Sequence, residues 1–98
     1  MRPVRLLPDE IEQCLAALPG WELRNGRLYR QFRFADFSSA FSFMTRTALR
    51  AEQLDHHPDW HNVYNRVDVE LLTHDVGGLT ELDFQLAEAM SRFASSST

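Results

Sequence analysis

The chain has 98 residues, of which 44% are hydrophobic, and its formal net charge at pH 7 is -4. This length predicts one domain over residues 1–98, with ends that fray at about 1–7 and 94–98 and a small core that would gain from self-association. The acidic balance disfavours direct nucleic-acid binding, which depends on many Lys and Arg contacts to phosphates. Because there is no apolar run of roughly 20 residues, no signal peptide and only one cysteine, we expect a cytoplasmic protein with no membrane segment.

A short helix and a β-hairpin are predicted at the start of the chain. Residues 9–18 carry apolar side chains at helical spacing, and Pro19-Gly20 ends that helix. The next two segments, 21–24 and 27–34, flank Asn25-Gly26. This dipeptide favours a two-residue hairpin turn because both of its residues accept a positive φ.

A longer helix is predicted from a cap at Asp36 to about Leu54. Its apolar stripe is broad for a helix that covers one small sheet, and it comprises Phe37, Phe41, Met44, Ala48 and Ala51, widened by Ala40, Phe43 and Leu54. The whole stripe could lie in the core, or part of it could contact another subunit. We expect some of both, and therefore a homo-oligomer, either a dimer or a tetramer.

The last part of the chain predicts strand and then helix. Alternation from Val63 to Leu72 indicates one long strand, or two strands with a kink near Asn65, and Gly77-Gly78 ends it. A final helix is expected to begin at Thr80. The sequence therefore predicts an α+β fold of order α-β-β-α-β-β-α, in which three helices pack on one face of an antiparallel sheet of about four strands.

All four histidines of the chain lie within residues 56–74, namely His56, His57, His61 and His74. Imidazole has an unperturbed pKa near ~6.5, so such a group of side chains suits proton transfer at neutral pH. A metal site is disfavoured because Pro58 prevents the helical turn that would align His57 with His61, and no cysteine lies nearby. His61 has a simpler interpretation as a solvated polar residue. His56 and His57 should point to opposite sides of an extended segment, so that one of them could share a ligand with His74.

The segment Glu52-Gln53-Leu54-Asp55-His56-His57-Pro58-Asp59-Trp60, followed by Asn62-Val63-Tyr64-Asn65 and Thr73-His74, resembles the signature of the pterin-4a-carbinolamine dehydratases. Phe43-Met44-Thr45-Arg46 and Gly78-Leu79-Thr80-Glu81 with Asp83 extend the resemblance over about residues 32–93. This combination of short motifs is far more specific than any one of them.

The resemblance implies dehydration of 4a-hydroxytetrahydropterin to quinonoid dihydropterin, in support of tetrahydrobiopterin recycling. It implies no metal, no cofactor and no covalent intermediate, and it links the protein to an aromatic amino-acid hydroxylase, which forms the substrate. By similarity, His56 and His74 transfer protons and His57 orients the pterin. Glu52 would position or polarise one of the histidines.

Trp60 and Asp83 match family positions expected to contact the substrate, yet both have simpler interpretations. Trp60 could instead anchor the core. Asp83 fits a capping box with Thr80, which we favour. Leu82 stands where animal members commonly have Arg, so no role of that Arg is transferred to this chain.

The family has a second role in animals, as a dimerisation cofactor of a homeodomain transcription factor through a helical surface. A protein-interaction module that uses the long-helix face is therefore the alternative function. It predicts sensitivity to substitutions at Phe41 or Met44 and indifference to loss of the histidines.

Overall fold

Three helices and a four-stranded antiparallel sheet form the part of the chain described by the computed structural model, residues 3–96. The elements are α1 (Pro8–Ala16), β1 (Glu22–Arg24), β2 (Arg27–Arg33), α2 (Phe37–Leu54), β3 (Asp59–Val63), β4 (Arg66–Leu71) and α3 (Glu81–Ser95), with a 3-10 turn at His74–Val76. The predicted α+β class and element order are confirmed. Among the described residues, no helix combines the length and apolar character needed to cross a bilayer.

The sheet has the strand order β1-β2-β4-β3, so β2 and β4 are its central strands. Their register places Leu28 opposite Leu71 and Phe32 opposite Val67. All four of these side chains are buried beneath the helices. Because side chains alternate along a strand, the other face carries polar residues such as Tyr29, Gln31, Asp68 and Glu70. Helices therefore cover one face only.

The stretch predicted as one long strand or a kinked pair consists of two separate strands, and the single-strand alternative is wrong. β3 begins at Asp59, four residues before the predicted start, and a turn at Tyr64-Asn65 reverses the chain. Tyr64 takes a left-handed φ of 51°. The Asn62 side chain donates to the carbonyls of Tyr64 at 3.1 Å and Arg66 at 2.8 Å, and so holds the turn closed.

The buried stripe of α2 differs from the one that periodicity favoured. Ala40, Phe43, Thr47 and Ala51 face the core, whereas Phe37 and Phe41 are 49% and 54% exposed. The alternative in which the whole apolar stripe is core is therefore wrong for this single chain. The two exposed rings lie 5.7 Å apart and form an apolar patch on α2.

Arg30 is the charged exception on the core face of β2. Its guanidinium carbon lies 4.3 Å from the centre of the Phe32 ring, and Nη1 donates to Ser91 Oγ at 3.1 Å. Burial lowers the pKa of Arg30 from its ordinary value. The guanidinium thus lies over the Phe32 ring in a cation–π contact and also donates a hydrogen bond to α3.

Both longer helices begin at side-chain caps. Asp36 accepts from the Ser39 backbone N–H at 2.8 Å, and hydrogen bonds from Ser39 lower the pKa of this carboxyl.

In the amino-terminal segment of the chain, the Leu6 N–H donates to the Leu79 carbonyl at 2.8 Å. The expected fraying of 1–7 and 94–98 falls partly on residues 1–2 and 97–98, which lie outside the described residues, and it stays a prediction.

Leu86→Ala should test the core beneath α3. Leu86 is fully buried, so its truncation should reduce the free energy of unfolding by about 2–5 kcal/mol through lost burial and cavity formation. Leu7→Ala is the matched control because Leu7 is exposed, and its effect should stay within about 0.5 kcal/mol. Urea denaturation monitored by tryptophan fluorescence measures both. Equal losses would contradict the assigned core.

Candidate active site

The carboxyl end of α2 directs two adjacent histidines to opposite sides. Asp55 ends the helix in the left-handed conformation with φ 51°, and the His56 N–H donates back to the Ala51 carbonyl at 3.0 Å. As a result His56 turns inward and its side chain is only 9% exposed, whereas His57 remains exposed. This is the arrangement expected from their adjacency.

His56 meets a buried carboxylate on α3. Its Nε2 lies 2.6 Å from Asp83 Oδ1, and Asp83 is fully buried. The other carboxylate oxygen, Oδ2, accepts from the Thr73 hydroxyl at 2.7 Å and from the Thr80 backbone N–H at 2.9 Å. Asp83 is therefore both the capping residue favoured by the sequence and the partner of His56.

Glu52 and His57 form a second pair at the surface. His57 Nε2 lies 2.7 Å from Glu52 Oε1 across one turn at the helix end. Both side chains are mostly exposed, so the pair contributes little to stability, about 0–1 kcal/mol. The pair instead affects orientation, since the hydrogen bond to the Glu52 carboxylate restricts rotation of the His57 ring.

His74 begins the 3-10 turn that follows β4. The Thr73 N–H donates to the Gly78 carbonyl at 3.0 Å and closes a short loop over residues 73–78. The His74 side chain is 65% exposed, and its Nε2 lies 3.5 Å from Asp59 Oδ2. The environment of His74 is thus open and polar, in contrast to that of His56.

Antiparallel pairing of β3 with β4 brings these segments together. Asp59 at the start of β3 lies opposite Glu70 near the end of β4, so the loop before β3 and the turn after β4 meet at one end of the sheet. There, a shallow cavity of about 180 Å³ is lined by Asp55, His56, His57, Leu72, Thr73, His74 and Asp75. All three predicted catalytic histidines therefore share one cavity.

The other predicted site residues lie around this cavity or away from it. Asp83 lies behind His56, and Glu52 contacts His57. Trp60 faces the core from β3 and does not line the cavity. His61 is exposed on the uncovered sheet face opposite Asp68. Leu82 lines a different cavity, next to Val4 and Leu6 in the amino-terminal segment.

Sequence reasoning missed the roles of Thr73 and Asp59. The burial alternation of Val67, Val69 and Leu71 continues to Thr73, which is 3% exposed. One more step of this alternation, from Leu71 to Thr73, would have predicted a buried hydroxyl directly before His74. No comparable signal marks Asp59, because its contact with His74 depends on the pairing of β3 with β4.

Within residues 3–96, no group of three or more His, Cys, Asp or Glu side chains is arranged to hold a metal ion.

Comparison with known proteins assigns the family. The sequence model of the family described as pterin 4 alpha carbinolamine dehydratase matches residues 4–93. The chain belongs to this family. The resemblance in the histidine segment is thereby confirmed, and the expected enzyme class, a hydro-lyase, is confirmed at the level of the family.

Close relatives support the same assignment. A protein of Synechococcus sp. (strain WH7803), provisionally named pterin-4-alpha-carbinolamine dehydratase, is 56% identical over 87% of this chain and 92% of its own. One of Rhizobium leguminosarum bv. trifolii with the same provisional name is 54% identical over 96% of this chain and 95% of its own. A crystal structure described as a transcriptional coactivator/pterin dehydratase from Brucella melitensis is 52% identical, with a TM-score of 0.90 over 93% of this chain and 99% of that one.

Asp83→Ala and Asp59→Ala should differ strongly in stability, although each aspartate lies beside a histidine. Removal of Asp83 leaves the buried His56, Thr73 and Thr80 donors without their acceptor and should cost about 3–5 kcal/mol. Asp59 is exposed, so its removal should cost at most about 1 kcal/mol. Urea denaturation at pH 7 measures both. Similar losses would show that the buried network does not stabilise the fold.

Proposed function

We propose that this protein converts 4a-hydroxytetrahydropterin to quinonoid dihydropterin and water. The observation that carries the proposal is the convergence of His56, His57 and His74 on one cavity, from two segments about twenty residues apart, in a chain of the pterin carbinolamine dehydratase family. His56 and His74 are assigned to proton transfer and His57 to orientation of the pterin. Glu52, Trp60 and Asp83 are proposed as supporting residues, with Trp60 acting from outside the cavity wall.

The reaction requires two proton transfers. One proton goes to the departing 4a hydroxyl, which leaves as water with the electron pair of the C–O bond. The other proton is removed from a ring nitrogen, and the electron pair of that N–H bond stays in the ring and forms the new double bond. Imidazole can donate or accept near neutral pH. The buried ring of His56 and the exposed ring of His74 have different surroundings, an arrangement that favours separate acid and base roles.

The proposal includes a physiological setting. The 4a-hydroxytetrahydropterin is formed when an aromatic amino-acid hydroxylase uses tetrahydropterin, so that enzyme class is the proposed metabolic partner. Conversion to quinonoid dihydropterin would support tetrahydrobiopterin recycling, and we place the protein with its partner in the cytoplasm.

His56→Ala and His74→Ala should each slow quinonoid dihydropterin formation by about 10²-fold or more, because each variant lacks one proton-transfer group. The rate is measured by absorbance with freshly generated 4a-hydroxytetrahydropterin in metal-free buffer. His61→Ala is the matched control, since His61 lies outside the cavity and should retain full activity. A wild-type protein that does not accelerate the reaction would refute the proposal, as would equal losses in all three variants.

The exposed patch on α2 favours a second function, in protein association. Phe37 and Phe41 lie beside Ser38, Ser42 and Thr45 along a shallow surface groove. Two half-exposed, adjacent aromatic rings are costly to leave in water and typical of a contact surface. The description of the Brucella melitensis structure names a coactivator as well as a dehydratase. We propose that α2 mediates homo-oligomerisation through this patch, or a protein-interaction function.

Phe41→Ser should reduce the molar mass of the assembly, because it removes half of the exposed aromatic pair. Tyr64→Ser is the matched control, since Tyr64 is a comparably exposed aromatic on the turn between β3 and β4. Multi-angle light scattering measures both masses at matched concentration. A dimer or tetramer that persists in Phe41→Ser, or a monomeric wild type, would argue against self-association through α2.

A further inference from the structure

A buried chain of hydroxyl groups connects the amino end of α3 to His56. Thr80 and Asp83 are fully buried, and Thr73 is 3% exposed. The oxygens Thr73 Oγ1 and Thr80 Oγ1 lie 2.8 Å apart, and the Leu82 backbone N–H donates to Thr80 Oγ1 at 3.2 Å. These groups are excluded from water, so their hydrogen bonds must be satisfied by each other.

The directions of these hydrogen bonds follow from the available protons. Thr73 donates its single hydroxyl proton to Asp83 Oδ2 at 2.7 Å. It therefore has none left for Thr80, and the Thr80 hydroxyl donates to Thr73 Oγ1. Every donor in the chain thus points toward the Asp83 carboxylate. The start of α3, which carries the positive end of the helix dipole, favours the same polarity.

The Asp83 carboxylate determines which ring nitrogen of His56 carries hydrogen. Oδ2 of Asp83 accepts two hydrogen bonds, from Thr73 and from Thr80, and Oδ1 faces His56 Nε2 at 2.6 Å. A carboxylate oxygen can only accept, so the facing Nε2 must carry hydrogen. We infer that Thr73 is a positioning residue that fixes Asp83, holds His56 with hydrogen on Nε2, and leaves Nδ1 to exchange a proton with the pterin. This inference rests on the proposed dehydratase function.

The helix cap alone does not account for the Thr73 hydroxyl. The capping box of α3 is complete with the Thr80 N–H on the Asp83 side chain and the Asp83 N–H on the Thr80 side chain, and the Leu82 N–H also donates to Thr80 Oγ1. Thr73 belongs to a different segment and adds a third donor to Asp83. A residue that served only the cap would not need to lie directly before His74.

Thr73 also connects the two proton-transfer histidines. Its side chain acts on His56 through Asp83, while its backbone pairs with Gly78 and carries His74 as the next residue. One buried residue therefore fixes the orientation of His56 through its side chain and closes the turn that bears His74 through its backbone. The separation between the two rings depends on this shared anchor.

Thr73→Val tests this role because it removes the hydroxyl and keeps the shape. It should lower kcat about tenfold to a hundredfold with a smaller change in KM, by analogy with the loss of the hydrogen-bond partner of a metal-bound histidine. Thr73→Ser keeps the hydroxyl donor and should retain activity close to that of the wild type. Thr47→Val is the matched control, since Thr47 is also fully buried but its hydroxyl has no hydrogen-bond partner among the described residues.

A spectrum without substrate separates this inference from the proposed activity. Histidine ring ¹⁵N–¹H correlations, with the His56 signal assigned by its loss in His56→Ala, should show a protonated Nε2 that exchanges slowly with water. The signal should persist in Thr73→Ser and Thr47→Val and exchange faster in Thr73→Val. If no variant dehydrates the pterin, the proposed function fails while these spectra still decide the positioning.

Two results would overturn the inference. One is a wild-type His56 with hydrogen on Nδ1 instead of Nε2. The other is a Thr73→Val protein that keeps both the wild-type rate and the slow exchange of the Nε2 proton. If Thr73→Val does not fold, Thr73→Ala removes the same hydroxyl with less crowding, and the wild-type spectrum decides the tautomer by itself.

Discussion

The buried contact between His56 and Asp83 is the constraint on which the arrangement of the site depends. A buried carboxylate without partners costs several kcal/mol, so the three segments that supply its donors must meet within hydrogen-bonding distance. Those segments are the residues after α2, the second residue after β4 and the start of α3. The packing of α2 beside α3 over the sheet provides that meeting point.

One aspartate serves both the fold and the site. As the N3 residue of the capping box, Asp83 satisfies a backbone N–H at the start of α3, and the same carboxylate holds His56. A precise ring orientation is thereby obtained from a group that the helix already needs. The cost is that changes in the site disturb the fold, whereas the exposed pairs at His57 and His74 can vary with little effect on stability.

The fold separates two surfaces with different chemistry. The cavity lies at the end of the sheet where the loop before β3 and the turn after β4 meet, and it is polar and rich in histidine. The apolar patch of Phe37 and Phe41 lies at the amino end of α2, while His56 follows its carboxyl end. The 18-residue helix, with a rise of about 1.5 Å per residue, therefore holds the patch and the cavity near its opposite ends.

The sequence by itself determined the element order, the Asn25-Gly26 hairpin and the concentration of histidines, because turn chemistry and periodicity are local properties. It also indicated the family through the segment from Glu52 to Trp60 in combination with Asn62-Val63-Tyr64-Asn65 and Thr73-His74. Only the tertiary structure decided that β3 begins at Asp59, that Phe41 faces outward, and that Asp83 reaches His56. Periodicity shows that a helix has an apolar stripe, but strand pairing and helix packing decide which part of that stripe is buried. The same long-range pairing brings His74 to residues that precede it by about twenty positions.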